Sequence, residues 1–348
     1  MVELLCLVFS FAVVYALTGR LRTRLLAVGR LDIPNDRSSH VTPTPRGGGL
    51  AISVVVSAAI VVLWLFGHVS TLAPMACVAG GVLVAVVGHI DDRRGLGPKL
   101  RLLVHAAAAA LLVVACARVS NLSVFFPSIP AAATVTLLML GIVWSINSFN
   151  FMDGIDGFAG SQAIFVAGAA AGLAYASNGE SEWISIALVL TGASAGFLAW
   201  NWPPARIFMG DVGSGFLGYW LAALAIGLHL SEGLSFWAYV ILASMFLADS
   251  TITLVRRILR GERWAEAHRS HAYQILSRKW TSHKKVTLLL WTINLFVLTP
   301  LAYVSTRWPG TAMWLAMVTL ASISSGCIAL GAGGRETRAS APNSALPP

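Results

Sequence analysis

The stretch "NSFNFMDGIDGFAG", starting at position 147, follows sixteen uncharged residues and then brings two asparagines, two aspartates and three glycines together. Asn147, Asn150, Asp153 and Asp156 recur at intervals of three. On one unbroken helix the first and last would face opposite sides, because nine steps of about 100° leave them half a turn apart. They converge only if the helix ends near Gly154, where Gly154 and Gly157 make a bend easy. The product is a pocket of carboxylates and amides at the end of an apolar segment. Hard oxygen donors of this kind suit Mg²⁺, with Mn²⁺ as the alternative, and substrate phosphates complete the shell. The plainer reading is a glycine-rich turn with Asx capping.

Five other stretches carry polar groups in the same setting. In "VGHIDDRRGLGPKLRLL", Asp91 and Asp92 are adjacent, and Lys99 and Arg101 follow after "GLGP". Side-by-side like charges are unfavourable unless a cation compensates them, although a solvated loop would also pair them with Arg93 and Arg94. Asp211 stands between Gly210 and Gly213, just before an apolar run. It reads equally as a helix N-cap and as part of a phosphate-binding N-terminus. His268 and His271 flank Arg269 in the longest charged loop; phosphate binding suits them better than zinc, which lacks a third soft ligand nearby. Such a loop also anchors topology on anionic lipid. The Pro/Gly stretch "DIPNDRSSHVTPTPRGGGLA" allows close backbone approach to a ligand or to a neighbouring helix. Asp249, in "FLADSTITLVRRI", reads as a structural acid reaching Arg256.

The elements that must position these groups are membrane spans. The 348 residues are 57% hydrophobic and only 11% charged, with mean hydropathy +0.75, whereas a soluble domain carries about 25% charged residues. A span needs about 20 apolar residues. Eleven segments qualify: 2–18, 48–67, 72–89, 102–118, 131–149, 159–176, 183–200, 214–230, 236–255, 286–305 and 311–330. The fold class is therefore all-α, a polytopic integral membrane protein. Residues 1–331 form one transmembrane domain and 332–348 read as a disordered tail. The first segment reads as an uncleaved anchor, since no basic residue precedes it and no small-x-small site follows. Cys6, Cys77, Cys116 and Cys327 read as apolar core residues, without a metal or disulfide framework.

Alternating the loops between two sides puts 22 of the 24 basic residues on one side, leaving Arg118 and Arg307 on the other. The positive-inside rule makes the basic side cytoplasmic, so the N-terminus is periplasmic and the C-terminus cytoplasmic. Every aspartate falls on that side or in a span ending there. Carboxylate chemistry is therefore expected at the cytoplasmic face.

The blocks "DDRRGLGPKLRLL", "NFMDGIDG" and "FMGDVGSGFLG", in this order, resemble the polyprenyl-phosphate N-acetylhexosamine-1-phosphate transferase family, from about residue 31 to 275. "PNDRSSHVTPTPRGGG" and "HRSHAYQ" look like its O-antigen-initiating branch. The peptidoglycan branch, the phospho-MurNAc-pentapeptide transferases, carries a run of histidines where this chain has "HRSH". The resemblance implies transfer of a sugar-1-phosphate from a UDP-N-acetylhexosamine to undecaprenyl phosphate. UMP is released, and the reaction is Mg²⁺-dependent at the cytoplasmic face of the bacterial inner membrane. It also implies roles. Asn150 and Asp211 hold the metal, with Asp153 beside it. Asp91 and Asp92 are the essential pair, and Lys99 binds phosphate. Gly154, Ile155 and Asp156 meet uracil; Asn201 and Phe208 contact the nucleotide. His268, Arg269 and His271 lie in a loop closing over the pyrophosphate. A homodimer rests on family analogy alone, and no nucleic-acid partner is expected.

Two rivals belong to other classes. A lipid-linked sugar transporter should place charges near the bilayer midplane and show repeats, yet the acids gather at one face and no repeat is visible. An inactive scaffold should have lost members of the acid set, and Asp91, Asp92, Asp153, Asp156 and Asp211 are all present. The identity of the amino sugar stays open, with GlcNAc, GalNAc and deoxy-hexosamine donors all admissible.

Overall fold

The computed structural model describes residues 2–34, 42–69, 72–178, 181–231, 234–263 and 268–334. Residues 35–41 of the Pro/Gly-rich stretch, Glu180, Glu232, Glu266 and the tail from 335 lie outside the described residues. The chain is helical almost throughout. The helices are α1 (Val2–Ala27), α2 (Gly49–Leu65), α3 (Leu72–Arg94), α4 (Pro98–Val119), α5 (Ala131–Met152), α6 (Phe158–Asn178) and α7 (Glu182–Asn201). After these come α8 (Asp211–Leu230), α9 (Phe236–Leu259), α10 (Ala272–Trp280), α11 (His283–Ile293), α12 (Thr299–Arg307) and α13 (Pro309–Ala329). A π-helical turn over Asn294–Leu298 joins α11 to α12 in one continuous rod. Pro300 has no N–H to give that ladder, and the wider turn absorbs the lost bond.

Among the described residues, ten helical rods are long and apolar enough to cross a membrane. The remaining expected span, 48–67, is α2, whose 17 residues reach about 26 Å at 1.5 Å per residue. All eleven expected segments are therefore helices, most extending a few residues past the apolar run. The outer faces expose Phe9, Leu65, Leu103, Phe296 and Trp314, as lipid-facing helices do. The protein is a multi-pass membrane protein. The four cysteines are free and buried.

Helix α8 forms the axis. Val212 through Leu228 are all buried, as expected of a helix apolar all round. Its neighbours approach closely through small residues, the usual way for helices to pack in lipid. A Cβ on Gly49 of α2 would overlap the Gly213 backbone, and one on Gly218 would meet Ser145 O and the Ile146 Cα of α5. On α3, a Cβ at Gly88 would strike the Asp211 carbonyl. These contacts bring α2, α3 and α5 to the N-terminus of α8.

Three features lay outside the helical expectation. Leu31–Asp32 and Thr44–Pro45 pair as a two-residue antiparallel hairpin, β1 and β2. Helix α10 folds within the last charged loop. Residues 332–334 pack on the body, with Ala332 buried and Gly333 N donating to Ser270 O at 2.7 Å.

Candidate active site

The end of α3 and the start of α8 form one unit. Gly210, before α8, has no side chain to cap the helix and adopts φ 77°, a conformation that glycine tolerates. Asp92 supplies the cap from α3: its Oδ1 accepts from Asp211 N at 3.0 Å and its Oδ2 from Val212 N at 3.1 Å. A carboxylate at a helix N-terminus satisfies unpaired donors and opposes the positive end of the dipole. Asp91, one residue earlier, points elsewhere. It accepts from Leu96 N and pairs with Arg101 Nη1 at 2.6 Å. Arg101 Nη1 also lies 3.2 Å from Asp211 Oδ2. The other Asp211 oxygen pairs with Arg46 Nη2 at 2.7 Å, and Arg46 Nε with Asp92 Oδ1 at 2.9 Å.

Arg46 is positioned by backbone pairing. Phe208 N donates to Pro45 O at 2.8 Å, and Gly47 N and Gly48 N donate to Phe208 O at 3.1 and 2.9 Å. Burial opposes the charge of Arg46, yet Asp211, Asp92 and Asp32 together hold its pKa above the ordinary value.

The end of α5 contributes the second part. The helix stops at Met152, just before Gly154, with Asp153 as its C-cap. Asn150 Nδ2 donates to Ser214 Oγ at 3.1 Å, which fixes it against the first turn of α8. Among the described residues the Asp153 carboxylate makes no hydrogen bond or ion pair. Burial pushes its pKa well above the carboxylate range; Arg46 opposes this, while Asp211, Asp92 and Asp156 reinforce it. Asp156 turns away toward α11. Its Oδ2 accepts from Ala205 N at 3.0 Å and lies 3.2 Å from His283 Nδ1. Asn147 donates to Val143 O of its own helix at 2.7 Å and faces His105 Nδ1 of α4 at 3.4 Å. The intervals of three thus split into separate duties: Asn150 and Asp153 at α8, Asp156 at α11.

The remaining candidates frame this centre. Asn201 is buried and ties two loops together, accepting from Gly157 N and donating to Ile207 O, both at 2.9 Å. Phe208 is half-buried beside Arg46. Ile155 is buried, and a Cβ on Gly154 would overlap the Tyr273 hydroxyl, which itself donates to Phe151 O at 2.9 Å. Lys99 is exposed in the first turn of α4 and makes no ion pair among the described residues; Arg101, two residues on, reaches the carboxylates.

Helix α10 is capped as α8 is, by an acid from another helix. Asp249 accepts from Ala272 N at 2.9 Å and Tyr273 N at 3.1 Å. Its expected partner, Arg256, donates instead to Ala332 O. His271 is buried between the rings of Phe151 and Tyr273, with Nδ1 3.4 Å from Asp249. His268 meets Ser270 Oγ at 3.0 Å. Burial, with His271 and Arg257, pushes its pKa down to about 3. It is therefore neutral at pH 7, able to donate one N–H but not a charge. Arg269 lines an open cleft of about 600 Å³ together with Asp156, Arg278, His283 and Lys284.

Sequence reasoning passed over Arg46 and His283. The proline and glycines around Arg46 marked a tight turn without saying what its side chain faced. His283 sat at the edge of a span, where a basic residue reads as topology.

The donors around Asp211 fit a hard divalent cation. They are all oxygen: the Asp211 carboxylate, the Asn150 amide and Ser214. Two guanidiniums already bring positive charge to that carboxylate. Among the described residues no three His, Cys, Asp or Glu side chains cage an ion by themselves; a cation that keeps waters and takes substrate phosphates does not require such a cage.

A many-span body whose helix ends gather carboxylates, an amide and arginines at one rim is the build of an integral-membrane enzyme acting on phosphorylated substrates. The comparisons narrow this. The profile of glycosyl transferase family 4 matches residues 74–229. The decaprenyl-phosphate N-acetylglucosaminephosphotransferase of Mycobacterium tuberculosis (strain ATCC 25618 / H37Rv) is 31% identical over 310 residues, 80% of this chain and 76% of the relative. The probable undecaprenyl-phosphate N-acetylglucosaminyl 1-phosphate transferase of Bacillus subtilis (strain 168) is 29% identical over 297 residues, 82% and 80% of the two chains. A phospho-N-acetylmuramoyl-pentapeptide-transferase of Streptococcus pneumoniae (strain CGSP14) is 27% identical over 237 residues, 65% and 70%. The chain belongs to glycosyl transferase family 4 and is a phospho-sugar transferase.

Proposed function

We propose that the protein transfers N-acetylglucosamine-1-phosphate, or that of a related amino sugar, from a UDP-sugar to undecaprenyl phosphate. UMP is released, and the step initiates O-antigen or another cell-envelope polysaccharide. The names of the two N-acetylglucosamine relatives favour that sugar. The observation that carries the reading is that two environments share α5 and α8. On one side lie Asp211, Asp92, Asp91 and their arginines. On the other, an apolar cavity of about 200 Å³ runs along α5, α8 and α9 from Leu137 to Ser148 and Phe149. A lipid chain seated there would lie along the helix whose end carries Asn150 and Asp153. The excess of Lys and Arg in the loops on this rim supports a cytoplasmic active site in the bacterial inner membrane.

A lipid phosphate oxygen attacks the β-phosphorus of the UDP-sugar. A new P–O bond forms, and the bond to the bridging oxygen breaks, so that UMP leaves. Phosphomonoesters have a second pKa near 6, so the nucleophile is already largely ionised and needs no strong base. Asn150 and Asp211 would hold Mg²⁺, which would neutralise diphosphate charge and favour departure of UMP. Arg101, Lys99 and Arg269 add positive charge around the phosphates, and Asp153 stands beside the metal ligands. Asp156, with Gly154 and Ile155, borders the uracil; Asn201 holds that loop in place.

The test is isotope exchange in membranes with Mg²⁺, labelled UMP and a panel of UDP-sugars. Label is expected in UDP-GlcNAc. Label confined to another donor would reassign the sugar, and no exchange with any donor would overturn the reading. Asp211→Asn should abolish exchange while the protein still inserts.

A further inference from the structure

Among the described residues, Arg46 alone touches three acids from three different segments. Its nitrogens lie 2.9 Å from Asp92, 2.7 Å from Asp211 and 3.8 Å from Asp32. Arg101 takes the second oxygen of Asp211 and pairs with Asp91. A single carboxylate thus has a guanidinium on each oxygen.

The two arginines are held differently. Arg101 sits in the first turn of α4, and its partner Asp91 is anchored by Leu96 N. Arg46 extends from the segment paired with Phe208, and its side chain is 43% exposed against 31% for Arg101. Of the two cations it is the one nearer to solvent.

We propose that Arg46 is a resident counter-ion: in the metal-free enzyme it takes the place of the divalent cation at Asp211 and Asp92, and it releases Asp211 when metal and diphosphate bind. The proposal rests on the metal-dependent reading above. Clustered carboxylates repel one another or take up protons unless a cation faces them. Arginine stays charged at any working pH, so it keeps the acids ionised and ready. Once released, its planar fork is suited to a phosphate. Arg46 and the metal then compete for the same oxygens. Removing the arginine should tighten metal binding and, with opposite sign, weaken the metal-free fold. A group that only packs, or only binds substrate, gives no such pair of effects.

The test uses the full chain in detergent without nucleotide. Mn²⁺ affinity is measured by electron paramagnetic resonance, and melting is followed in EDTA and in Mn²⁺. Arg46→Gln should bind Mn²⁺ about tenfold more tightly, the scale expected for a charge a few ångströms away. It should melt lower than wild type in EDTA, and Mn²⁺ should close that gap. Arg46→Lys, which keeps the charge but loses the fork, should show a smaller affinity gain and little deficit in EDTA. It is the readout if the Gln variant does not fold. Arg94→Gln, at an exposed position on the same rim, should match wild type. Unchanged or weaker Mn²⁺ binding in both Arg46 variants, beside a normal wild-type titration, overturns this proposal alone. An equal gain in Arg94→Gln also overturns it, by showing a general field effect. Absence of Mn²⁺ binding even in wild type brings down the metal reading along with it.

Discussion

Asp92 holds both backbone N–H groups at the start of α8, so its removal should harm the fold as well as the chemistry. Asp92→Ala is expected to abolish UMP release and to lower stability by about 1–2 kcal/mol, the usual value of an N-cap. Asp91→Asn should abolish release with a smaller change in melting, because its contacts lie in a loop and on Arg101. Melting curves beside a UMP assay separate the two. His268 gives a pH prediction. Its folded pKa of about 3 lies below the unfolded value of about 6.5, so between these the unfolded chain binds more protons and stability rises with pH. Acidification below about 6.5 should therefore destabilise wild type, and His268→Gln should flatten that limb of a pH–melting profile. The sequence displayed the tandem acids but not their division of labour. That division depends on where α8 arrives, and α8 begins more than a hundred residues later. Arg46 was hidden for the same reason: its partner Asp211 is 165 residues away.

At the scale of elements, the span positions were legible because an uncharged run of about 20 residues has few alternatives. The break after α5 was legible too, since glycines and polar residues arrive together there. Helix α10 was not, because nine residues rich in polar side chains inside a charged loop look like loop. Its first turn is held by Asp249, a cap borrowed from α9, together with its own His271–Gln274 capping box. Asp249→Ala should unfasten α10 and expose the loop from 260 to 282 to limited proteolysis, while the remaining spans keep their protection. Gly213→Ala should be poorly tolerated, since its Cβ would meet the Gly49 Cα; overpacking of this kind costs about 1–3 kcal/mol. A detergent melting shift is the check, and an unchanged melting point would show that α2 and α8 can separate.

For the molecule as a whole, the one-sided distribution of Lys and Arg makes a prediction about sidedness. Lys279→Cys should react with an impermeant maleimide only after cells are opened, and Ser231→Cys should react in intact cells. Both positions are exposed, and the four native cysteines are buried. What the sequence could not reveal at this scale is which span lies at the centre, because all spans are apolar and only packing ranks them. The answer is α8, 94% buried over its apolar stretch, against 17% for α1 and 22% for α13. A helix walled in by its neighbours has no hydrophobic length to match to lipid. Vesicles made with shorter or longer acyl chains should strain α1 and α13 while leaving the helix that carries Asp211 unmoved. Turnover per folded molecule should then vary by no more than about twofold across bilayers differing by several ångströms in thickness. Membrane thickness would set how well the outer helices are seated, and the phosphate chemistry would proceed without sensing it.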